Sequence, residues 1–254
     1  LVAGPIERSK NLLTQLRNPK PFSYERMCDG VMLMIWGYFL KLVIADRISI
    51  FVDNAYANVG VYDGKYLLIA SMLFAIQIYC DFGSYSLIAI GAAQVMGFTL
   101  MENFNTPYFA TSIKDFWRRW HISLSTWFRD YLYIPLGGNR KGKVRKYCNL
   151  MLTFLASGLW HGAAWTYVIW GGLHGLYQII GDLLHPVRKK IVEIFDVRTD
   201  CISFKLTQIA FTFVLTTFAW IFFRADNLGQ ACVYISRIAT RVNPWALFNG
   251  TLYT

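Results

Sequence analysis

Thirty-five consecutive residues, 147–181, contain no Asp, Glu, Lys or Arg. Few folds tolerate such a run in water, and a membrane demands it. A helix needs about 20 mostly apolar residues to cross the hydrocarbon core. The run is therefore read as two spans. Three further uncharged stretches accompany it: 66–80, 82–101 and 206–223, the first two interrupted by Asp81 alone. Residues 66–101 predict one or two spans and 204–223 one. Residues 31–52 are a further candidate. Lys41, Asp46 and Arg47 in its second half must then sit near an interface or face protein, because a charge at a helix centre costs roughly 2.5–3.5 kcal/mol. The expectation is five or six spans.

Composition agrees. The chain has 254 residues, 55% hydrophobic and 16% charged, whereas soluble domains carry about 25% charged residues. Disorder is excluded, because so apolar a chain buries enough surface to offset its ordering entropy. The five cysteines are scattered without a CxxC motif, so free, buried thiols are expected. No signal-peptide pattern precedes the first apolar segment. No repeat or linker divides the chain. The fold expected is all-α: a polytopic helical membrane bundle with amphipathic or re-entrant helices, forming one domain over 1–254.

A net charge of +10 on such a chain is unusual. Two readings compete, a nucleic-acid binder and a membrane protein with basic loops on one side. Residues 114–146 hold nine Lys/Arg against two Asp, so most of the excess lies between spans. That placement favours a cytoplasmic loop against anionic headgroups, with no nucleic-acid partner. Arg188, Lys189 and Lys190 follow the uncharged run, and two intervening spans put both clusters on one side.

Within the basic loop, Trp117, Trp120, His121, Leu124, Trp127, Phe128 and Tyr131 recur at three- and four-residue steps. They predict one amphipathic helix from Asp115 to Leu132, ended by Pro135-Leu136-Gly137-Gly138. Gly137 to Lys143 imitates a phosphate loop, but Val144 stands where its Ser/Thr belongs, so a basic turn is expected instead. His161 sits inside the uncharged run, in Ser157-Gly158-Leu159-Trp160-His161-Gly162-Ala163. An ionisable group at that depth is either a functional base or a histidine bonded between helices. Gly158 and Gly162 allow close helix approach. His121, on the apolar face of the amphipathic helix, reads either as an orienting or proton-sharing group or as a packed histidine with a satisfied ring nitrogen; His174 reads as packing, and Asp81 as a cap or an interhelical partner. No histidine or carboxylate spacing suggests a metal, and no G-x-S-x-G suggests a serine hydrolase.

The motifs together resemble the membrane-bound O-acyltransferases, in particular the bacterial alginate O-acetyltransferase branch. The resemblance runs through Leu1-Val2-Ala3-Gly4-Pro5-Ile6, Glu102-Asn103-Phe104-Asn105-Thr106-Pro107-Tyr108 and Asp115-Phe116-Trp117-Arg118-Arg119-Trp120-His121. It continues in Trp127-Phe128-Arg129-Asp130-Tyr131, Gly137-Gly138-Asn139-Arg140, Gly158 to Ala163 and Phe222-Phe223-Arg224-Ala225. The branch shows Asp-Phe-Ser-Gly-Tyr-Ser-Asp where this chain has Asp81-Phe82-Gly83-Ser84-Tyr85-Ser86-Leu87, so a role of the second acid does not transfer. Family members are about twice as long, which implies missing N-terminal spans.

The resemblance implies acetyl transfer from a cytoplasmic thioester donor, such as acetyl-CoA or an acyl carrier, to an exported envelope polysaccharide. It implies no permanently bound cofactor, a bacterial inner-membrane location among lipids, and periplasmic partner proteins. His161 corresponds to the family's catalytic histidine and His121 to a second essential one. Trp160, Trp117, Trp120, Asn139, Arg118 and Arg119 are the expected substrate-binding residues. D-alanyl transfer toward teichoic acid on the same scaffold, and a non-enzymatic transporter or scaffold, are the alternatives.

Overall fold

The computed structural model describes residues 4–18 and 20–241, so Leu1 to Ala3 of the first motif lie outside the described residues. Every regular element there is helical. A short surface helix, α1 (Ser9–Arg17), precedes α2 (Tyr24–Phe39), capped by the Ser23 hydroxyl. The chain continues without a break through a π-helical turn, Leu40–Ala45, into α3 (Asp46–Ala57). Next comes α4 (Gly64–Val95), capped by Asp63. At 32 residues it is about 48 Å long, and Asp81 lies within it, so residues 66–101 supply one span.

The uncharged run folds as a hairpin of α7 (Gly142–His161) and α8 (Trp165–Ile194). Lys146 Nζ pairs with Asp182 at its open end, which brings the two basic clusters to one end as expected. Close approach requires glycine here. A Cβ on Gly158 would lie 2.3 Å from the Tyr167 carbonyl oxygen, and one on Gly171 2.3 Å from that of Phe154. A long helix, α9 (Ile202–Arg224), packs against α4 and α8, and α10 (Leu228–Thr240) folds back onto α4.

Among the described residues, three helical segments are long and apolar enough to cross a membrane: Tyr24–Ala57, Gly64–Val95 and Ile202–Arg224. Five or six were expected. The difference is the hairpin: α7 opens on Lys143, Arg145 and Lys146, α8 closes on charged residues, and the uncharged stretch between them is diluted by Asn149, Ser157, His161, His174, Gln178 and glycines. Absence of charge is a weaker property than apolarity.

The expected single helix from Asp115 to Leu132 is instead broken. Helix α5 (Ile113–Arg119) ends as Trp120 turns extended, and His121 adopts φ 44°, ψ 55° before α6 (Ile122–Phe128). A π-helical turn, Arg129–Tyr133, follows. Trp120, His121, Leu124 and Phe128 of the apolar stripe stay buried across the break, whereas Tyr131 is exposed. All five cysteines are free, but only Cys80 is buried, and Cys148 and Cys232 are exposed.

Candidate functional site

Helix α7 ends on His161, and its position fixes its tautomer. Nδ1 lies 2.7 Å from the Ser157 carbonyl oxygen, one turn back. A carbonyl only accepts, so Nδ1 carries the proton and Nε2 keeps a free lone pair. The ring packs edge-on against Trp170 at 4.9 Å and Phe223 at 5.5 Å.

His121 reaches the same state by another route. Its Nδ1 lies 3.1 Å from Asn103 Oδ1. That oxygen also accepts from the Ser123 amide at 3.2 Å and its hydroxyl at 2.9 Å. Asn103 Nδ2 donates to Ser86 Oγ at 3.1 Å, which orients the amide. His121 Nδ1 is then the donor and Nε2 the free base. A positive φ is uncommon for any residue but Gly, although His tolerates it better than most. Such strain clusters at functional sites. Burial, with the nearby His161 ring adding to it, pushes the His121 imidazole down to about 3.

An aromatic core connects the two. Trp120 lies 5.1 Å from Trp220, which stacks on Trp170 at 5.6 Å, and Trp170 supports His161. Trp120 is buried, and Trp117 donates from Nε1 to His174 Nδ1 at 3.2 Å.

The other expected binding residues are placed elsewhere. Trp160 is 63% exposed and leans on Trp127 on the outside of α7. Asn139 is exposed in the glycine turn, where its Oδ1 accepts from the Tyr133 hydroxyl. Arg118 is exposed. Arg119 is held by Asp115 at 3.1 Å and Thr106 at 3.3 Å, which braces the 106–119 segment. The structure therefore gathers His161, His121, Trp117 and Trp120, and leaves Trp160, Asn139 and Arg118 at the surface.

A cleft of about 540 Å³ adjoins His161 through Phe223, and its polar lining is Gln77, Asp81, Thr166, Tyr167, Arg224 and Asp226. Phe74, Gln77, Ile78 and Asp81 form one face of α4 at three- and four-residue steps. Gln77 Oε1 is buried there without a hydrogen-bond partner. Asp81 pairs with Lys41 Nζ at 2.6 Å, and Lys41 also pairs with Asp46 at 2.9 Å. The π-helical turn places Lys41 in this ion-pair network, and π-bulges are frequent at functional sites. The sequence marks Lys41 and Asp46 in one segment and Asp81 in another, but not their pairing. Two charges of opposite sign in neighbouring apolar segments are the signal that could have joined them.

These features have counterparts among known proteins. The family model described as "MBOAT, membrane-bound O-acyltransferase family" matches residues 1–224. A probable alginate O-acetylase AlgI of Pseudomonas putida is 43% identical over 231 residues, covering 91% of this chain and 45% of that protein. A peptidoglycan O-acetyltransferase of Helicobacter pylori is 38% identical over 237 residues, 91% of this chain and 43% of that protein. A teichoic acid D-alanyltransferase of Bacillus subtilis is 30% identical over 202 residues, 74% of this chain and 50% of that protein. The chain thus spans half or less of the length of these relatives. With the family model covering nearly nine-tenths of its length, this membrane protein belongs to the membrane-bound O-acyltransferase family.

Proposed function

We propose that the full-length protein is a multi-pass inner-membrane O-acyltransferase. It passes acetyl groups from a thioester donor toward the hydroxyl of an exported envelope polysaccharide. The observation that carries this reading is the state of His161. Its Nδ1–H is committed to the Ser157 carbonyl, which leaves Nε2 as the basic nitrogen, and its ring packs on Phe223, which lines the polar cleft. A neutral imidazole so held presents Nε2 as a base.

In this reading His161 Nε2 takes the proton of the acceptor hydroxyl as that oxygen attacks the thioester carbonyl. The tetrahedral intermediate collapses, the C–S bond breaks, and the imidazolium returns the proton to the departing thiolate. General-base action of this kind contributes about 10²–10⁴-fold. Gln77 Oε1 and the Asp81 carboxylate offer hydrogen-bond acceptors to sugar hydroxyls in the cleft. The donor, acetyl-CoA or an acyl-carrier thioester, approaches from the basic end of the α7–α8 hairpin. Periplasmic partner proteins complete delivery to the polymer. Acetyl transfer is preferred over D-alanyl transfer because identity to the acetylating relatives is higher, 38–43% against 30%.

The test is His161→Ala in the full-length protein at matched membrane levels, with alkali-labile acetate measured on the envelope polysaccharide. Loss to background supports the reading, and undiminished acetylation sinks it.

A further inference from the structure

His174 lies in the middle of α8, fully buried. Its ring stacks parallel to Phe116 and stands edge-on to Trp117 and Trp170. Packing alone does not account for an imidazole there. Indole N–H groups only donate, so the 3.2 Å contact from Trp117 Nε1 makes His174 Nδ1 the acceptor. The proton of the neutral ring then sits on Nε2, which is buried without a hydrogen-bond partner. A buried donor left unpaired is costly and calls for an explanation. Phenylalanine would fill the same space with no such cost. What phenylalanine cannot do is accept from Trp117.

That bond has a location that matters. Trp117 is in α5, four residues before His121, and the left-handed break at His121 follows directly from the end of that helix. Trp170 is one turn before His174 on α8, and it lies 5.2 Å from His174 and 4.9 Å from His161. The support for one free imidazole and the support for the other therefore meet at His174.

We propose that His174 is a positioning residue for acyl transfer: by accepting from Trp117 Nε1–H it holds α5 against α8, and so sets His121 and His161 relative to one another. This rests on the acyltransferase reading above. Its own content is the dependence of that reaction on one hydrogen bond.

The experiment uses the full-length protein in membranes, with acetyl esters on the envelope polysaccharide quantified at matched protein levels. His174→Phe keeps the ring volume and removes the acceptor. His174→Asn restores an acceptor oxygen near the Nδ1 position. Trp117→Phe removes the donor from the other side. His174→Phe and Trp117→Phe are each expected to lower acetylation at least tenfold, and the double variant to be no worse than either single. His174→Asn is expected within threefold of the wild type. Carbethoxylation of His161 and His121 by diethyl pyrocarbonate, read by mass spectrometry, is expected to change in His174→Phe and to return in His174→Asn.

Wild-type acetylation in His174→Phe overturns the proposal, as do equal losses in the Phe and Asn variants or multiplicative losses in the double. His161→Ala runs in parallel. If that variant acetylates normally, the functional reading itself has failed, and the His174 variants no longer decide anything about acyl transfer but still report on His161 through carbethoxylation.

Discussion

His121 and His161 carry different chemistry in the same side chain. Each commits Nδ1–H to an oxygen, but His161 uses a carbonyl of its own helix and His121 uses the side-chain amide of Asn103, itself oriented by Ser86. His121 is the more deeply buried, with 9% exposure. Its depressed pKa has a consequence for stability. The folded state holds the ring neutral down to about 3, while the unfolded chain titrates near the ordinary histidine value of 6.5. Below 6.5 the unfolded state therefore binds more protons, so the contribution is complete above that pH and is lost progressively as pH falls toward 3. Over such a window the loss is on the order of 5 kcal/mol, at about 1.36 kcal/mol per unit. His121→Asn retains an N–H donor for Asn103 and tolerates the left-handed backbone. Melting temperatures in detergent are expected to fall from pH 6.5 to 4 in the wild type and to fall less steeply in His121→Asn. Parallel slopes would show that His121 is not the group responsible.

Helix pairing shows what the sequence carried and what it hid. The hairpin of α7 and α8 was legible, because two basic clusters bound an uncharged run long enough for two helices, and Gly158 was marked as a point of approach. The break at His121 was not legible, because the three- and four-residue stripe continues through it and periodicity records which side is apolar, not whether the backbone turns. The pairing of Lys41 with Asp81 was also hidden, since it depends on α2 and α4 lying side by side. The glycine contact offers a matched test. Gly171→Ala drives a methyl into the Phe154 carbonyl, whereas at Gly181, on the same helix, nothing lies within 4 Å. Overpacking costs roughly 1–3 kcal/mol, and removing a helical glycine gains about 0.5–1 kcal/mol. Gly171→Ala is expected to lower the melting temperature and Gly181→Ala to leave it level or raise it. Equal behaviour of the two would mean that α7 and α8 are not in the close contact described.

At the scale of the whole molecule, charge and cleft separate along α7. Its first turns carry Lys143, Arg145 and Lys146, and Lys146 pairs with Asp182. Its last residue is His161, 20 residues along the helix and thus about 30 Å away. The cleft opens beside that far end, among the start of α8 and the turn between α9 and α10. Under the acyl transfer proposed above, this polarity lets the donor be met at the basic end and the acceptor at the cleft. Orientation is then set by the basic end, since Lys and Arg in short loops resist translocation. Replacing Arg140, Lys141, Lys143 and Arg145 by Glu removes most of that bias while keeping the Lys146–Asp182 pair, His161 and the cleft. Reporter fusions after Ile194 are expected to show mixed or inverted orientation, and envelope acetylation is expected to fall because the two ends no longer face their substrates. Unchanged orientation would assign the topology to segments other than the loop at 140–145. Unchanged acetylation in a protein shown to be inverted would remove the link between the basic end and donor approach.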